Sequence, residues 1–183
     1  MGKILCAVIA FFLVLSLFTQ KINAQNASGS SASLQPTLSI KVDDNRVKII
    51  KNFLDKYNSP LAKYANTFVE RADNYGIDWK LVASISGVES TFGKHIPYNS
   101  YNGWGWGVYG NNVMYFSSWE NGIETVSKGL RENYINKWGA ENVYEIGKYY
   151  ASSPTWASRV TYFMEKMEEF KNQKLAKNLS ISL

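Results

Sequence analysis

Cysteine and histidine are almost missing from this sequence: Cys6 and His95 are the single examples among 183 residues. Cys6 lies in an uncharged apolar run, residues 4–18, with Lys3 before it and the polar stretch TQKINA after it. That succession reads as a secretory signal peptide, residues 1–24, cleaved after Ala24. The run is shorter than the roughly 20 residues a spanning helix needs; an uncleaved membrane anchor is the alternative. Once residues 1–24 are gone no cysteine is left, which excludes a disulfide and a thiol nucleophile. With His95 alone, a zinc site built from His and Cys ligands is excluded too. A Ser/His/Asp mechanism would have to use His95, and no nucleophile elbow surrounds any serine. His95 therefore reads as a loop residue or a sugar contact. The glycines at 103, 105, 107 and 110 stand among Trp and Tyr without a strand–turn–helix frame, so no phosphate loop is expected.

Strong charge of one sign is also lacking. The net charge of +5 falls to +3 when Lys3 and Lys21 leave with the signal segment. That suits an anionic cell wall and is too weak to argue for nucleic acid. The carboxylate pair Asp43-Asp44 suggests calcium but falls in a linker, so no cofactor or metal is expected.

Residues 25–45 are rich in Ser, Ala and Asn without apolar periodicity and read as a flexible linker. Residues 46–171 read as one domain, residues 172–183 as a flexible tail, and no internal repeat is visible. Helix punctuation within the domain is legible. NRVKIIKNFLDKY puts Val47, Ile50, Phe53, Leu54 and Tyr57 on one face. Ser59-Pro60 offers a cap followed by proline, opening a helix that runs to Gly76. Asp78 caps the next helix, WKLVASISGVE, and Ser117 with Glu120 forms a capping box before NGIETVSKGLRENYI. ENVYEIGKYYA is a short helix, and Ser153-Pro154 repeats the cap-and-proline device before TWASRVTYFMEKMEEF. Between Tyr98 and Phe116 nothing is helical, and VYGNNVMYF reads as a small hairpin. The expected fold is mainly α, with one irregular aromatic loop.

Glu89 ends the apolar run LVASISGV, where a carboxylate would be partly desolvated. Desolvation raises a carboxyl pKa and keeps the group protonated near neutral pH. A protonated carboxyl in a cleft is what cleavage of a glycosidic bond requires, because the leaving oxygen must gain a proton. Tyr98, Tyr101, Trp104, Trp106 and Tyr109 offer flat faces with polar edges suited to pyranose rings. The bland readings are a solvated helix-end Glu and an aromatic lid over the core. Glu124 lies one turn after Glu120 and could reach a cleft or sit on the surface.

The segments VESTFGKH, YNGWGWG and YASSPTWASRV occur in this order. Together they resemble the lysozyme-like peptidoglycan-cleaving families, most of all the endo-β-N-acetylglucosaminidases, with the lytic transglycosylases as close relatives. In that group an E-S-x-[WF]-G-K segment closes the catalytic helix, an Asn-x-[FW]-G loop follows, and Y-A-[TS]-x-P-x-[YW]-A opens the last helix. Residues 89–94, 102–105 and 150–157 match these patterns, and the resemblance spans residues 61–167. It implies the α-helical half of the lysozyme fold, with Glu89 as general acid and Tyr150 across the cleft near the scissile bond. It further implies that Ser90 steadies the carboxyl or the sugar, that Phe92 packs beneath the loop, and that Trp104 and Trp106 line a sugar subsite. Tyr101, Asn102 and Glu124 complete the expected substrate-binding set. The expected partner is the glycan strand of peptidoglycan, met by a secreted or envelope-associated monomer, with a membrane involved only if the signal segment stays uncleaved.

Between Glu89 and Glu120 there is no Asp or Glu, so the loop facing the catalytic helix supplies no second carboxylate. A hydrolase ordinarily uses two. Either a more distant acid such as Glu124 serves, or one acid acts alone. The latter suits a lytic transglycosylase or assistance from the substrate's N-acetyl group. The Gly-Leu-Met-Gln type of loop common in transglycosylases is missing, which favours a hydrolase. The rival readings are a non-catalytic wall-binding module and a membrane-tethered scaffold using its aromatic loop against a protein.

Overall fold

Asp44 accepts a hydrogen bond from the backbone N–H of Arg46 at 2.9 Å and is the N-cap of helix α1, Asn45–Lys56. In this computed structural model the described residues are 44–108 and 112–181, the side chains of 174–181 excepted. The signal segment, nearly all of the linker and the turn of the expected hairpin, Tyr109 to Asn111, lie outside them. Arg46 bonds both Asp44 and Asp73, at 2.6 and 2.7 Å, and so clamps α1 to helix α2, Ala65–Tyr75. Ser59, expected as the N-cap, accepts from the Leu61 N–H at 3.0 Å, but the residue that stands at the cap position is Leu61, which makes no side-chain cap bond. The helix after it opens as a 3₁₀ turn, Ala62–Tyr64, and only then becomes α2.

The remaining helices are α3, Leu81–Ser90; α4, Trp119–Gly129; α5, Val143–Tyr150; and α6, Trp156–Ile181. A π-helical stretch, Leu130–Lys137, extends α4. The structure is mainly helical, and no regular strand occurs among the described residues. No helix among them is long and apolar enough to cross a membrane. Helix α6 runs past Lys171, where the tail was expected, to Ile181. The cap of α4 is also shifted by one residue. Ser118, not Ser117, accepts from the N–H of Asn121 at 3.2 Å, while the Asn121 side chain accepts from the N–H of Ser117. Glu120 takes no part in that box, because the serine that adopts the extended cap conformation is Ser118.

Helix α3 is the most buried helix among the described residues. Residues 81–87 and Ser90 are all buried, so the helix is wrapped on every side except at its C-terminal end. It packs chiefly against α6 and also touches α4. A buried helix offers its last residues at the core's edge, which is where Glu89 lies.

The chain leaves α3 through three consecutive left-handed residues, Thr91, Phe92 and Gly93, at φ 53°, 59° and 79°. For the two non-glycine residues this costs about 1–2 kcal/mol each. The opposing term is Phe92, which is fully buried against Tyr57, Phe163 and Phe53 with ring centroids 4.5, 4.9 and 5.6 Å away. Burying a Phe contributes about 1.5–3 kcal/mol, and each aromatic pair about 0.5–1.5 more. Anchoring wins, helped by the Ser59 hydroxyl, which donates to the Phe92 carbonyl at 2.7 Å. The sharp exit ends α3 at Ser90 and leaves Glu89 exposed.

Candidate active site

Glu89 is an exposed residue on the last turn of α3, with enough protein packed around its carboxylate to desolvate it in part. Its Oε1 accepts a hydrogen bond from the indole Nε1–H of Trp156, at the start of α6, at 2.6 Å. Its Oε2 faces the backbone of Gly105: a β-carbon on that glycine would sit 3.1 Å away. Gly105 also has φ +60°, so a side chain is opposed there by both conformation and space. Desolvation is the dominant influence on Glu89 and pushes its pKa above the ordinary value. The Trp156 hydrogen bond and the positive charge of Arg159 oppose that shift without cancelling it. No other acid is among the groups that shift the Glu89 carboxyl.

From Trp156 the site continues through stacked rings. Trp156 lies on Tyr150 at 4.7 Å with 23° between the planes. Tyr150 then meets Trp106 at 5.8 Å and Tyr134 at 5.7 Å. Its hydroxyl donates to the carbonyl of Trp104 at 2.7 Å, binding α5 to the glycine-rich loop. Burial, with the nearby Glu89 charge adding to it, holds the Tyr150 phenol well above its ordinary pKa, so it stays neutral and serves as a donor rather than a base. Trp106, Tyr134, Trp138, Tyr149 and Tyr150, with Gly105, line a groove of about 350 Å³. Trp106 packs closely on α4 because position 129 is glycine; a β-carbon there would fall 2.3 Å from the indole. Trp138 and Tyr149, 42% and 55% exposed, pair at 5.1 Å to make an open shelf at the groove's edge.

Several expected site residues lie elsewhere. Trp104 is a core residue with no exposed surface: its indole N–H donates to the Val82 carbonyl at 2.9 Å, and its ring fills the space left by Gly122. Asn102 is buried and knits the loop, its amide donating to the carbonyls of Trp106 and Met114 and its Oδ1 accepting from the N–H groups of Trp104 and Trp106. Ser90 is also buried; its hydroxyl bridges the carbonyls of Ser86 and Gly103 and accepts from the Gly93 N–H, so it reaches neither the Glu89 carboxylate nor a ligand. Tyr101, at φ 48°, packs edge-on to Trp119 outside the groove. Glu124 bonds Tyr75 and pairs with Arg71 at 2.8 Å, bracing α4 against α2 away from Glu89. Trp106 and Tyr150 do line the groove.

Sequence reasoning missed Trp156, Tyr134, Trp138 and Tyr149 as site residues. Trp156 stood inside the quoted YASSPTWASRV segment, and Tyr134 and Trp138 fall one helical turn apart, so a signal existed for each. A cavity of about 590 Å³ lies apart from Glu89, between the start of α3, the π-helical stretch and α5. Its acids are Asp78, which accepts from the Lys80 N–H at 2.8 Å, and Glu141. Among the described residues no group of His, Cys, Asp and Glu is placed to hold a metal ion. No protein-family model and no curated protein matches this chain.

Proposed function

We propose that the protein is a glycosidase of the lysozyme-like peptidoglycan-cleaving kind, with Glu89 as the general acid for a β-1,4 bond of the glycan strand. The observation that carries this reading is a solvent-reachable carboxyl with a raised pKa, fixed by Trp156, beside a groove floored by aromatic rings. The rings offer apolar faces to pyranoses, and the groove directs the strand toward Glu89. In the reaction Glu89 gives its proton to the bridging oxygen as the bond from C1 to that oxygen breaks. The Trp156 N–H stabilises the carboxylate that this transfer creates. Positive charge then develops at C1, and the acetamido carbonyl of the same sugar is the nucleophile that no protein carboxylate replaces. Water, giving up a proton to the Glu89 carboxylate, completes hydrolysis.

A second reading, lytic transglycosylation, is favoured by the absence of another acid acting on Glu89. There the C6 hydroxyl of muramic acid attacks C1, and Glu89 takes back the hydroxyl proton, leaving a 1,6-anhydro end. Mass spectrometry of fragments released from purified peptidoglycan separates the two. Reducing ends support hydrolysis, and ends lighter by one water support transglycosylation. No fragments from any of several wall types would overturn the enzyme reading and leave a wall-binding module.

A further inference from the structure

One wall of the aromatic groove has little packing behind it. Asn133 and Tyr134 line the groove from the π-helical stretch Leu130–Lys137, and Trp138 directly follows that stretch. Of the eight residues in the stretch only Leu130 is buried. Arg131 and Ile135, on the same stretch, line the cavity of about 590 Å³, which shares no lining residue with the groove. The wall therefore has the groove on one side and a cavity on the other. It ends at Gly139, at φ +72°, where a β-carbon would meet nothing within 4 Å, so that end is open too. π-Helical segments are rare and occur frequently at functional sites.

Arg131 ties this wall to α2. Its Nε donates to the Tyr75 carbonyl at 2.5 Å and its Nη2 donates to the Gly76 carbonyl. Tyr75 is the last residue of α2 and Gly76 its left-handed C-cap. Carbonyls at a helix end lack helical partners, and a cation there meets the negative end of the helix dipole. Gly76 leaves room for the fork: a β-carbon at that position would lie 3.2 Å from Nη2. This end of α2 is itself fixed, by Asp73 to Arg46 of α1 and by the Tyr75 hydroxyl to Glu124 of α4.

We propose that Arg131 is a positioning residue. By bracing the π-helical wall against the C-terminus of α2, it holds Tyr134 and Trp138 in place along the groove and sets how tightly a glycan is gripped. This rests on the glycan-cleaving reading of Glu89. Arg131 does not line the groove, and the Glu89–Trp156 pair stands on α3 and α6. The brace therefore governs binding and leaves proton transfer alone.

The test makes two measurements on the full-length protein and its variants. One is steady-state cleavage of soluble, uncross-linked peptidoglycan glycan strands; the other is hydrogen exchange of the backbone amides from 130 to 140. Arg131→Gln, which loses the fork, should raise KM about ten-fold with kcat nearly unchanged. It should also speed exchange over 130–140 and not over α3. Arg131→Lys, whose ammonium serves one carbonyl in place of two, should show smaller changes in the same directions, and it carries the test if Arg131→Gln does not fold. An arginine that only stabilised the fold would lower the melting temperature and leave the KM of the folded protein unchanged. That result, a fall in kcat at constant KM, or unaltered exchange over 130–140 would overturn the brace while the glycan reading stands. If the parent itself cleaves no strand, the glycan reading falls and the positioning role falls with it.

Discussion

The indole N–H of Trp156 donates to Glu89 across 67 residues of sequence at 2.6 Å, so the first turn of α6 sets the orientation of an acid that α3 carries. Because the bond favours the carboxylate, removing it should raise the Glu89 pKa further. In Trp156→Phe, which keeps a ring against Tyr150, the alkaline limb of the pH–rate profile should move upward. The maximal rate should fall about ten-fold, the scale of a lost hydrogen bond to a charged group. An unmoved limb would show that Trp156 does not tune the acid.

The raised pKa also makes a stability prediction with a definite sign. A carboxyl whose folded pKa exceeds its unfolded one binds more protons in the folded state, so stability falls as pH rises from the ordinary 4.5 through the folded value. Glu89→Gln removes that penalty. The variant should melt at a higher temperature than the parent at pH 7, and the gain should disappear at about pH 4, where both carry a neutral group. Thermal denaturation at the two pH values checks this, and a lower melting temperature at pH 7 contradicts it.

The close approach of Gly105 to Glu89 predicts a separation of activity from stability. Gly105→Ala meets both a positive φ and the carboxylate 3.1 Å away. The conformational cost is about 1–2 kcal/mol, which chemical denaturation would measure. Displacement of the carboxylate should cost more than that in rate, on the order of 10²-fold, as misplacement of a reacting group does. A rate loss no larger than the stability loss implies would place Gly105 outside the catalytic geometry.

The aromatic residues divide into two classes that substitution should separate. Trp104→Phe removes the bond to the Val82 carbonyl and leaves that acceptor buried, a destabilisation of about 1–3 kcal/mol in urea unfolding, with glycan affinity little changed. Trp138→Ala, on the exposed shelf, should leave stability within about 0.5 kcal/mol and weaken glycan binding. The reverse pattern would mean that the groove is not where the glycan lies.

These two tryptophans also show what sequence could reveal. Helix faces were legible because apolar spacing follows a period: Ile50, Phe53 and Leu54 are buried as their spacing required. Glu89 was legible for the same reason, as the one acid at the end of an apolar helix. The loop was not, because a Gly-rich segment has no period to say which aromatic turns inward. Four hydrogen bonds made by the Asn102 side chain decide it, sending Trp104 to the core and Trp106 to the groove. The capping serine failed differently. Ser117 with Glu120 and Ser118 with Asn121 both satisfy a local rule, and the adopted one is the pair that also buries Trp119. Trp156 was hidden because its partner is 67 residues away.

The measurement that bears most directly on Glu89 as proton donor is the rate of peptidoglycan glycan cleavage by Glu89→Gln, determined beside its affinity for the same glycan. General acid catalysis is worth about 10²–10⁴-fold, so the rate should fall by that much while affinity changes little. Cleavage at the parent rate, with affinity likewise unchanged, would contradict the assignment.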